Sequence, residues 1–406
     1  MAFAVPTLAR AQGPQDAAAG ESLWARDTLG GDWGGLRHAL GQVGTRFDLW
    51  ATGFHQGLFA GTGDDDWGTG GRVDLMIDSD TGPLGLWHGG GLHAHLTYRD
   101  GDLPGRRGGA LWPVHTSGSF PLGSQGEVVA TSLHVSQRFG DSTRLLLGKI
   151  NAIDLLARHP FLGGWGTDRF WNVAFVAPPS GVVPPVIMGG ILTTSSAPYT
   201  LTAMVFDPND QTTSDSFNGL FEDGVNVSFG LSWAGPIAGR RSGTGITATY
   251  STAERADLSQ VGLPPTLQTT RKKGSYNVTV QVSHLLVEST QLRGQGLGLY
   301  AQAAVADGNP NPIRRSFVGG VFGHAVVPGR PLDHFGIGTF FYDFSDELQG
   351  ALAPVGSFKD EQGVEAYYVF ALTPWLRLSA SLQWVDPATG ANRSLWVGGL
   401  RARVAF

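Results

Sequence analysis

Residues 395–406 form the stretch that most constrains the fold of this chain. In an extended strand Arg401 and Arg403 point to one face. The opposite face carries Trp396, Leu400, Ala402, Val404 and Phe406. The same period of two recurs in segment after segment, and the sequence offers no obvious partner to cover the apolar faces. The economical interpretation is a transmembrane β-barrel, in which lipid meets the apolar face and water fills the lumen.

Alternating segments continue along the chain from residue 45. The clearest are 45–51, 72–78, 92–99, 129–136, 225–233, 276–283, 297–305, 317–325, 364–372 and 376–384. A generous count gives roughly 16 to 18 segments, and bacterial single-chain barrels have an even number of strands. We therefore predict an all-β fold, an antiparallel transmembrane barrel over residues 45–406 with 16 strands, and 18 strands as the alternative.

The composition agrees with one large barrel domain. Of the 406 residues 60 are Gly, 12 are Trp and 22 are Phe, while only 15% are charged. Glycine-rich turns and aromatic girdles fit a membrane barrel better than a charge-coated globule, although a soluble all-β repeat protein is the alternative. The chain has no cysteine, which excludes disulfides and thiolate metal sites, and its net charge of −6 argues against a nucleic-acid partner.

The amino-terminal region breaks the alternating pattern. Residues 1–13 resemble the second half of a signal peptide, with residues 1–11 removed by cleavage after Ala11, although a disordered Ala-rich leader is the alternative. Within the segment 12–44, Trp33, Leu36 and Leu40 recur at three- and four-residue spacings, with Asp32 placed to cap. We expect one short amphipathic helix in the lumen or at the periplasmic mouth.

Several stretches connect the predicted strands. Residues 61–71, 100–126, 207–223 and 252–274 are rich in Asp, Pro and Gly and are expected to be the longer extracellular loops, with 140–143 as a periplasmic turn. Residues 171–206 carry no charge, but five prolines cut them into pieces too short for a transmembrane helix. These pieces are about as long as tilted strands.

The early strands place a mixture of charges and one aromatic ring toward the lumen. Sugars offer hydroxyl groups and flat C–H surfaces, which suit arginines, carboxylates and a ring. The predicted substrate-binding residues are Arg46, Asp48, Trp50, Arg72, Asp74 and Arg99, while Asp78, His93 and His95 share their face. Weaker candidates are Lys149, Trp171, Asn172, Glu365, Tyr367, Arg377 and Gln383. Alternatively, opposite charges on neighbouring strands pair only with each other.

Other polar groups are weak candidates for chemistry. His93 and His95 share a face but have no third metal ligand, and Asp64, Asp65 and Asp66 lack the distal Glu of a calcium loop. Ser132 and His134 are same-face neighbours too far apart for a nucleophile–base hydrogen bond, and no G-x-S-x-G motif occurs. We therefore predict a protein that is not an enzyme and needs neither metal nor cofactor.

Several sequence blocks resemble one known family. Residues 24–37, WARDTLGGDWGGLR, are similar to the amino-terminal signature of the carbohydrate-selective porins (OprB type) of Gram-negative outer membranes. Further similar blocks are DLMID at 74–78, GLWHGG at 85–90, LGKIN at 147–151, EAYY at 365–368, LTPW at 372–375 and QWVDP at 383–387. The resemblance spans nearly the whole mature chain.

The resemblance implies a monomeric 16-stranded outer-membrane barrel that lets monosaccharides or small glycosides diffuse through a polar constriction. Its partners would then be small sugars, outer-membrane lipid, and the barrel-insertion machinery acting through the last strand ending in Phe406. Two alternatives are a general or anion-leaning diffusion porin and a barrel that only anchors polysaccharide export or surface adhesion. Solute flux separates these functions, because an anchor conducts nothing and a general pore ranks solutes by size alone.

Overall fold

The computed structural model describes residues 22–61, 67–102, 107–157, 159–214, 216–389 and 393–406. The predicted signal segment with its cleavage after Ala11, and the loop aspartates Asp64, Asp65 and Asp66, lie outside the described residues. Within them, 16 strands form one closed barrel in which every strand pairs antiparallel with its neighbour in sequence. The first strand closes the barrel against the last, with Phe54 opposite Arg401. The predicted fold and strand number are confirmed.

The strands β1 to β16 begin and end as follows. They are Thr45–Ala60, Trp67–Asp80, Gly90–Gly101, Val128–Phe139, Thr143–Asn151, Val186–Ser196, Tyr199–Phe206, Asn226–Ile237, Arg240–Ala256, Arg271–Glu288, Gly296–Ala306, Ile313–His324, His334–Phe344, Glu361–Ala371, Leu376–Asp386 and Leu395–Ala405. In the β1–β2 register Trp50 lies opposite Asp74, and in the β2–β3 register Arg72 lies opposite Arg99. These registers gather the early charged residues into one sector of the wall.

Side chains alternate between the two faces of the wall, as the period of two predicts. On β16, Leu400 is 63% exposed and points outward, whereas Arg401 beside it is 3% exposed and points inward. Phe229 and Leu133 are exposed on the outer surface in the same way. The outer surface is therefore an apolar band suited to lipid, and the charges of the strands are directed to the lumen.

The two ends of the barrel differ in their connections. At one end, which we call the turn end, the connections are short, for example 140–142, 197–198 and 238–239. At the other, the loop end, the connections include 102–127, 152–185, 207–225 and 257–270. The described parts of the four predicted long loops lie at the loop end and the predicted turn 140–143 lies at the turn end, although residues 67–71, 100–101, 143, 252–256 and 271–274 belong to strands.

The longest connection, residues 152–185, corrects one prediction. The sequence suggested that the pieces of residues 171–206 are strands, but strand β6 begins only at Val186. Residues 171–185 are irregular apart from the turn Val173–Val176. Pro178, Pro179, Pro184 and Pro185 have no amide hydrogen to donate to a neighbouring strand, so this stretch leaves the sheet and folds into the lumen instead.

Besides four 3₁₀ turns, the described residues contain five short α-helices. They are α1 (Leu36–Gln42), α2 (Thr116–Ser119), α3 (Ala152–Leu156), α4 (Val173–Val176) and α5 (Asp346–Leu352). The amino-terminal helix begins later than the sequence pattern predicts: Trp33 precedes it and Gly35, not Asp32, occupies the N-cap, although Asp32 accepts from the His38 amide at 2.9 Å. Its segment lies at the turn end, where the Leu29 amide donates to the Ala405 carbonyl. Among the described helices none is both long and apolar enough to span a bilayer.

Candidate functional site

Two connections from the loop end fold into the lumen and narrow it. We call residues 107–121 segment A and residues 152–185 segment B. Arginines from the wall hold segment A: Arg72 donates to the Phe120 carbonyl at 2.9 Å, and Arg99 donates to the carbonyls of Gly118 and Pro121. From the opposite wall, Glu361 accepts from the amides of residues 111 and 112 at 2.6 and 3.0 Å. Segment A is therefore anchored across the lumen.

Segment B is anchored in the same manner. The carboxyl group of Glu365 accepts from the amides of Trp171 at 2.7 Å and Asn172 at 2.9 Å. Arg401 donates to the carbonyls of Gly166 and Arg169 at 2.8 and 3.1 Å. Glu365 belongs to β14 and Arg401 belongs to β16. The rigid wall therefore determines where segment B lies.

The two segments also bind each other. Thr116 donates its hydroxyl to the Trp171 carbonyl, and Ser117 donates to the Trp165 carbonyl, both at 2.7 Å. Gly163 has a φ of 83°, and a Cβ there would lie 2.1 Å from the Leu156 carbonyl oxygen. A glycine is thus required where segment B reverses direction. Segments A and B form one packed body inside the barrel.

This packed body makes part of the lumen apolar. Phe161, Phe170 and Phe175 of segment B are fully buried, and Phe170 stacks on Phe175 with ring centroids 4.3 Å apart. The wall contributes inward-facing aromatic residues to the same core: Tyr300, Phe322, Phe340, Tyr342, Phe344 and Tyr367. The expectation of a uniformly wet lumen is therefore wrong for this sector, because the inserted segments bury its aromatic side chains away from water.

A cavity of about 450 Å³ remains between segment B and strands β1–β5, β15 and β16. We call it the charged cavity. Asp48, Asp78, Asp154 and Arg144 line it on strands β1, β2 and β5 and segment B, and Arg377 and Arg403 line its basic side on β15 and β16. Positive and negative groups around one cavity orient polar solutes that enter.

Asp168 of segment B organises the basic side of the charged cavity. Its Oδ1 accepts from Arg377 at 2.7 Å and from Arg403 at 3.0 Å, and His334 lies 3.7 Å from its Oδ2. Burial by itself would raise the pKa of Asp168, but Arg377, His334 and Arg403 outweigh it and hold the pKa well below its usual range. The ionised carboxylate of Asp168 thus pairs with two guanidinium groups, those of Arg377 and Arg403.

Aromatic rings continue this side of the charged cavity. The guanidinium carbon of Arg403 lies 4.6 Å from the Trp50 ring centroid, and the Trp50 and Trp165 rings lie 5.6 Å apart. The Trp165 indole donates to Asp154 at 2.7 Å. Rings beside charged hydrogen-bonding groups can bind the C–H faces and the hydroxyls of a sugar together.

A buried polar chain runs behind the charged cavity. Arg72 donates to both carboxylate oxygens of Asp74 at 2.9 Å, and His95 lies 2.9 Å from Asp74 and 2.8 Å from Asp154. Ser132 donates to the same Asp154 at 2.7 Å. With Arg72 and Asp74 only 4% and 3% exposed, this chain supports the wall and segment B.

The structure thus divides the predicted binding residues. Asp48 and Trp50 line the charged cavity, and Arg46 lies opposite Asp78 in the β1–β2 register. Arg72, Asp74 and Arg99 lie instead in the contacts that hold segment A. A binding role for all six residues stays a prediction.

Most of the weaker candidates also hold loops. Arg377 lines the charged cavity. Trp171 and Asn172 belong to segment B, and Glu365 and Gln383 form hydrogen bonds with it. The buried Tyr367 packs against Phe170 of segment B. Lys149 donates to the carbonyls of Thr212 and Ser214 in the next loop. Most of the polar wall residues that the sequence assigned to solute binding therefore hold the backbone of the inserted segments.

Several residues of the charged cavity were missed, among them Arg144, Asp154, Trp165, Asp168 and Arg403. Arg403 had a usable signal, since it was already placed on the polar face of the last strand. Asp154, Trp165 and Asp168 had no usable signal, because they belong to a connection that no periodicity describes.

A closed 16-stranded barrel with an apolar outer band and inserted loops that narrow a charged lumen is the architecture of a diffusion porin. The sequence comparison is more specific. The chain belongs to the carbohydrate-selective porin, OprB family, whose family model matches residues 64–406. It is an outer-membrane carbohydrate porin of the Gram-negative type.

Solved structures agree on the fold. The high-pH structure of Pseudomonas putida OprB superposes with a TM-score of 0.81 at 19% identity, covering 95% of this chain and all (100%) of that chain. Its low-pH structure gives 0.58 at 17% identity, with 94% and 99% covered. The channel DcaP of Acinetobacter baumannii gives 0.56 at 10% identity, with 89% and 97% covered. No curated protein sequence matches the chain.

Proposed function

We propose that monosaccharides or small glycosides diffuse down their gradient through this barrel and bind transiently in the charged cavity. The supporting observation is the joining of Asp48, Trp50, Arg377 and Arg403 around one cavity of about 450 Å³. Carboxylate and guanidinium groups hydrogen-bond hydroxyls, and the rings contact C–H faces. No step needs a cofactor or a covalent change in the solute.

The proposed binding is weak. A channel conducts only if its solute leaves the site quickly, so we expect millimolar affinity, worth about 4 kcal/mol. Within this proposal Asp48, Trp50, Arg377 and Arg403 contact the solute. Arg72, Asp74 and Arg99 act by holding segment A, and Arg46 acts by its charge near Asp78.

Liposome swelling tests the proposed solute class. Because the charges on the two sides of the charged cavity largely balance, we expect glucose to enter faster than a small organic acid of similar size. Sucrose should enter more slowly than glucose. Ranking by size alone would contradict carbohydrate selectivity in this cavity, and faster entry of the acid would favour an anion-leaning pore.

Replacing Trp50 with leucine should weaken sugar binding. An aromatic contact is worth roughly 0.5–1.5 kcal/mol beyond its buried area, so we expect about a 2-fold to 10-fold higher dissociation constant. The measurement is the glucose dependence of single-channel current noise. Trp67→Leu is the matched control, because Trp67 is 47% exposed at the loop-end start of β2, away from the charged cavity. Equal glucose dependence in both variants would refute the role of Trp50.

We also propose that the barrel works as a monomer surrounded by lipid, and that the insertion machinery recognises β16. The supporting observation is the apolar outer face of the strands, including Trp396 and Leu400 on β16. Light scattering of the purified protein in detergent micelles tests the oligomeric state, and a mass of several chains would overturn this proposal.

A further inference from the structure

A second cavity of about 680 Å³ lies in the lumen on the side of strands β7–β12. Segment B separates it from the charged cavity, since Leu155 borders both. Gly294 and Gln295, in the turn between β10 and β11, line it at the turn end. Toward the loop end, Phe161 packs against Tyr300 with ring centroids 5.1 Å apart. The cavity is therefore a recess that opens at the turn end, and we call it the basic cavity.

The charges of the basic cavity have one sign. Its lining contains the two arginines Arg169 and Arg241, and none of the described residues that line it is an aspartate or a glutamate. By contrast, four aspartates line the charged cavity. An anion that enters the basic cavity meets positive charge without a competing carboxylate in the lining.

Backbone carbonyls hold the two arginines in place. Arg169 donates to the carbonyls of His159, of Leu162 at 2.6 Å and of Ala157 at 3.2 Å, and Arg241 donates to the Gly294 carbonyl at 3.1 Å. The neighbouring Asp168 is directed to Arg377 and Arg403 on the other side of segment B. Carbonyl oxygens orient a guanidinium group but leave its unit charge in place for a ligand.

The rest of the lining suits a hydroxylated ligand. Thr200, Ser232 and Ser283 contribute hydroxyl groups, and the Tyr300 hydroxyl donates to Gln302 at 2.9 Å and lies 3.2 Å from the Gln281 side-chain oxygen. The rings of Tyr300 and His159 meet edge to face at 4.8 Å and give an aromatic surface. Hydroxyl groups with an aromatic surface are the partners of a sugar backbone, while arginines are the partners of a carboxylate.

We propose that the basic cavity binds sugar acids, meaning polyhydroxylated carboxylates such as gluconate, which enter from the turn end. Arg241 at the mouth forms the carboxylate contact, and the serine, threonine and tyrosine hydroxyls meet the hydroxyl chain. Because packed aromatic rings close the loop end of this recess, it serves as a binding site beside the conducting path. This inference goes beyond the transport of neutral sugars and does not depend on it.

Saturation-transfer NMR on the full protein in detergent micelles tests this proposal, with potassium gluconate and glucose as the observed ligands and inorganic phosphate, which has no C–H proton, as a competitor of gluconate. We expect gluconate to bind more tightly than glucose or phosphate. Arg241→Gln should raise the gluconate dissociation constant about 10-fold, as expected for loss of a hydrogen bond to a charged group. Arg240→Gln is the matched control. This substitution removes the same charge, but Arg240 is an exposed neighbour that does not line the cavity.

Three results would overturn the proposal. Glucose binding as tightly as gluconate would show that charge plays no part. Equal weakening by Arg240→Gln and Arg241→Gln would show attraction by the general surface charge. Phosphate competing as well as gluconate would show an anion site that ignores hydroxyl groups. Glucose entry into liposomes is measured separately, so each of these results leaves the proposed sugar flux untouched.

Discussion

Replacing Glu365 with glutamine is expected to loosen segment B and enlarge the conducting path. The two carboxyl oxygens of Glu365 accept from the amides of Trp171 and Asn172, and the Ser381 hydroxyl donates to one of them at 2.8 Å. Glutamine retains one acceptor oxygen and places an NH₂ group where the other was. At least one buried amide then has no acceptor, which costs about 1–3 kcal/mol. The population with a displaced segment B should rise roughly 5-fold to 150-fold.

Planar-bilayer recording measures this change. We expect larger or more frequent conducting states in Glu365→Gln and faster entry of sucrose into liposomes, because segment B occupies much of the lumen. Glu347→Gln is the control, since Glu347 is exposed in helix α5 at the loop end. Glu361→Gln should behave like Glu365→Gln, because Glu361 holds segment A through two amides. Unchanged conductance and sucrose entry in a folded Glu365→Gln protein would refute the anchoring role.

The wall of the barrel could be predicted because it obeys a local rule. Alternation on β16 placed Arg401 and Arg403 inward and Leu400 outward, and the structure has them there. The same rule placed Arg72 and Asp74 inward. Whether a strand residue points inward or outward depends only on its position relative to its neighbours in sequence. A charged side chain that faces lipid is costly, so the alternation of polar and apolar residues can be read from the sequence.

The partners of the inward side chains could not be predicted in the same way. Arg72 and Arg99 were expected to meet solute, whereas they donate to carbonyls of segment A. Which inward residue meets water and which meets an inserted loop depends on contacts between residues far apart in sequence. The Glu365 carboxyl and the Trp171 amide, for example, are separated by 194 positions. Segments A and B show no periodicity, and their prolines and glycines permit many paths.

A common design follows from these contacts. Toward the loop end of the lumen, carboxyl and guanidinium groups of the wall hold the backbone of the inserted segments. Near the turn end, comparable groups line cavities. The same residue types therefore serve two purposes at different heights of one strand. On β16, Arg401 anchors segment B, whereas Arg403, two residues closer to the turn end, lines the charged cavity.

Replacing Asp168 with asparagine is expected to turn the charged cavity toward anions. The ionised carboxylate offsets part of the charge of Arg377 and Arg403, to which its Oδ1 lies 2.7 and 3.0 Å away. Breaking a buried ion pair costs about 3–5 kcal/mol, so segment B should also lose stability. A unit charge acting over about 6 Å is worth roughly 0.7 kcal/mol in water and roughly 3 kcal/mol at an effective dielectric constant of 20. Even the lower value favours chloride and disfavours potassium by the same amount, so it shifts the chloride-to-potassium permeability ratio about 10-fold.

Reversal potentials in a potassium chloride gradient measure that ratio, and two variants separate local charge from other effects. Asp141→Asn removes the same charge from an exposed turn at the turn end, so its permeability ratio should stay close to that of the parent protein. Asp168→Glu keeps the charge, so it should restore cation permeability even where the longer side chain disturbs segment B. If Asp168→Asn and Asp141→Asn shift the reversal potential equally, the charge of Asp168 does not act on the conducting path. An ion interacts strongly with a charged group only where it passes close to that group. A shift confined to Asp168→Asn would therefore place the conducting path through the charged cavity.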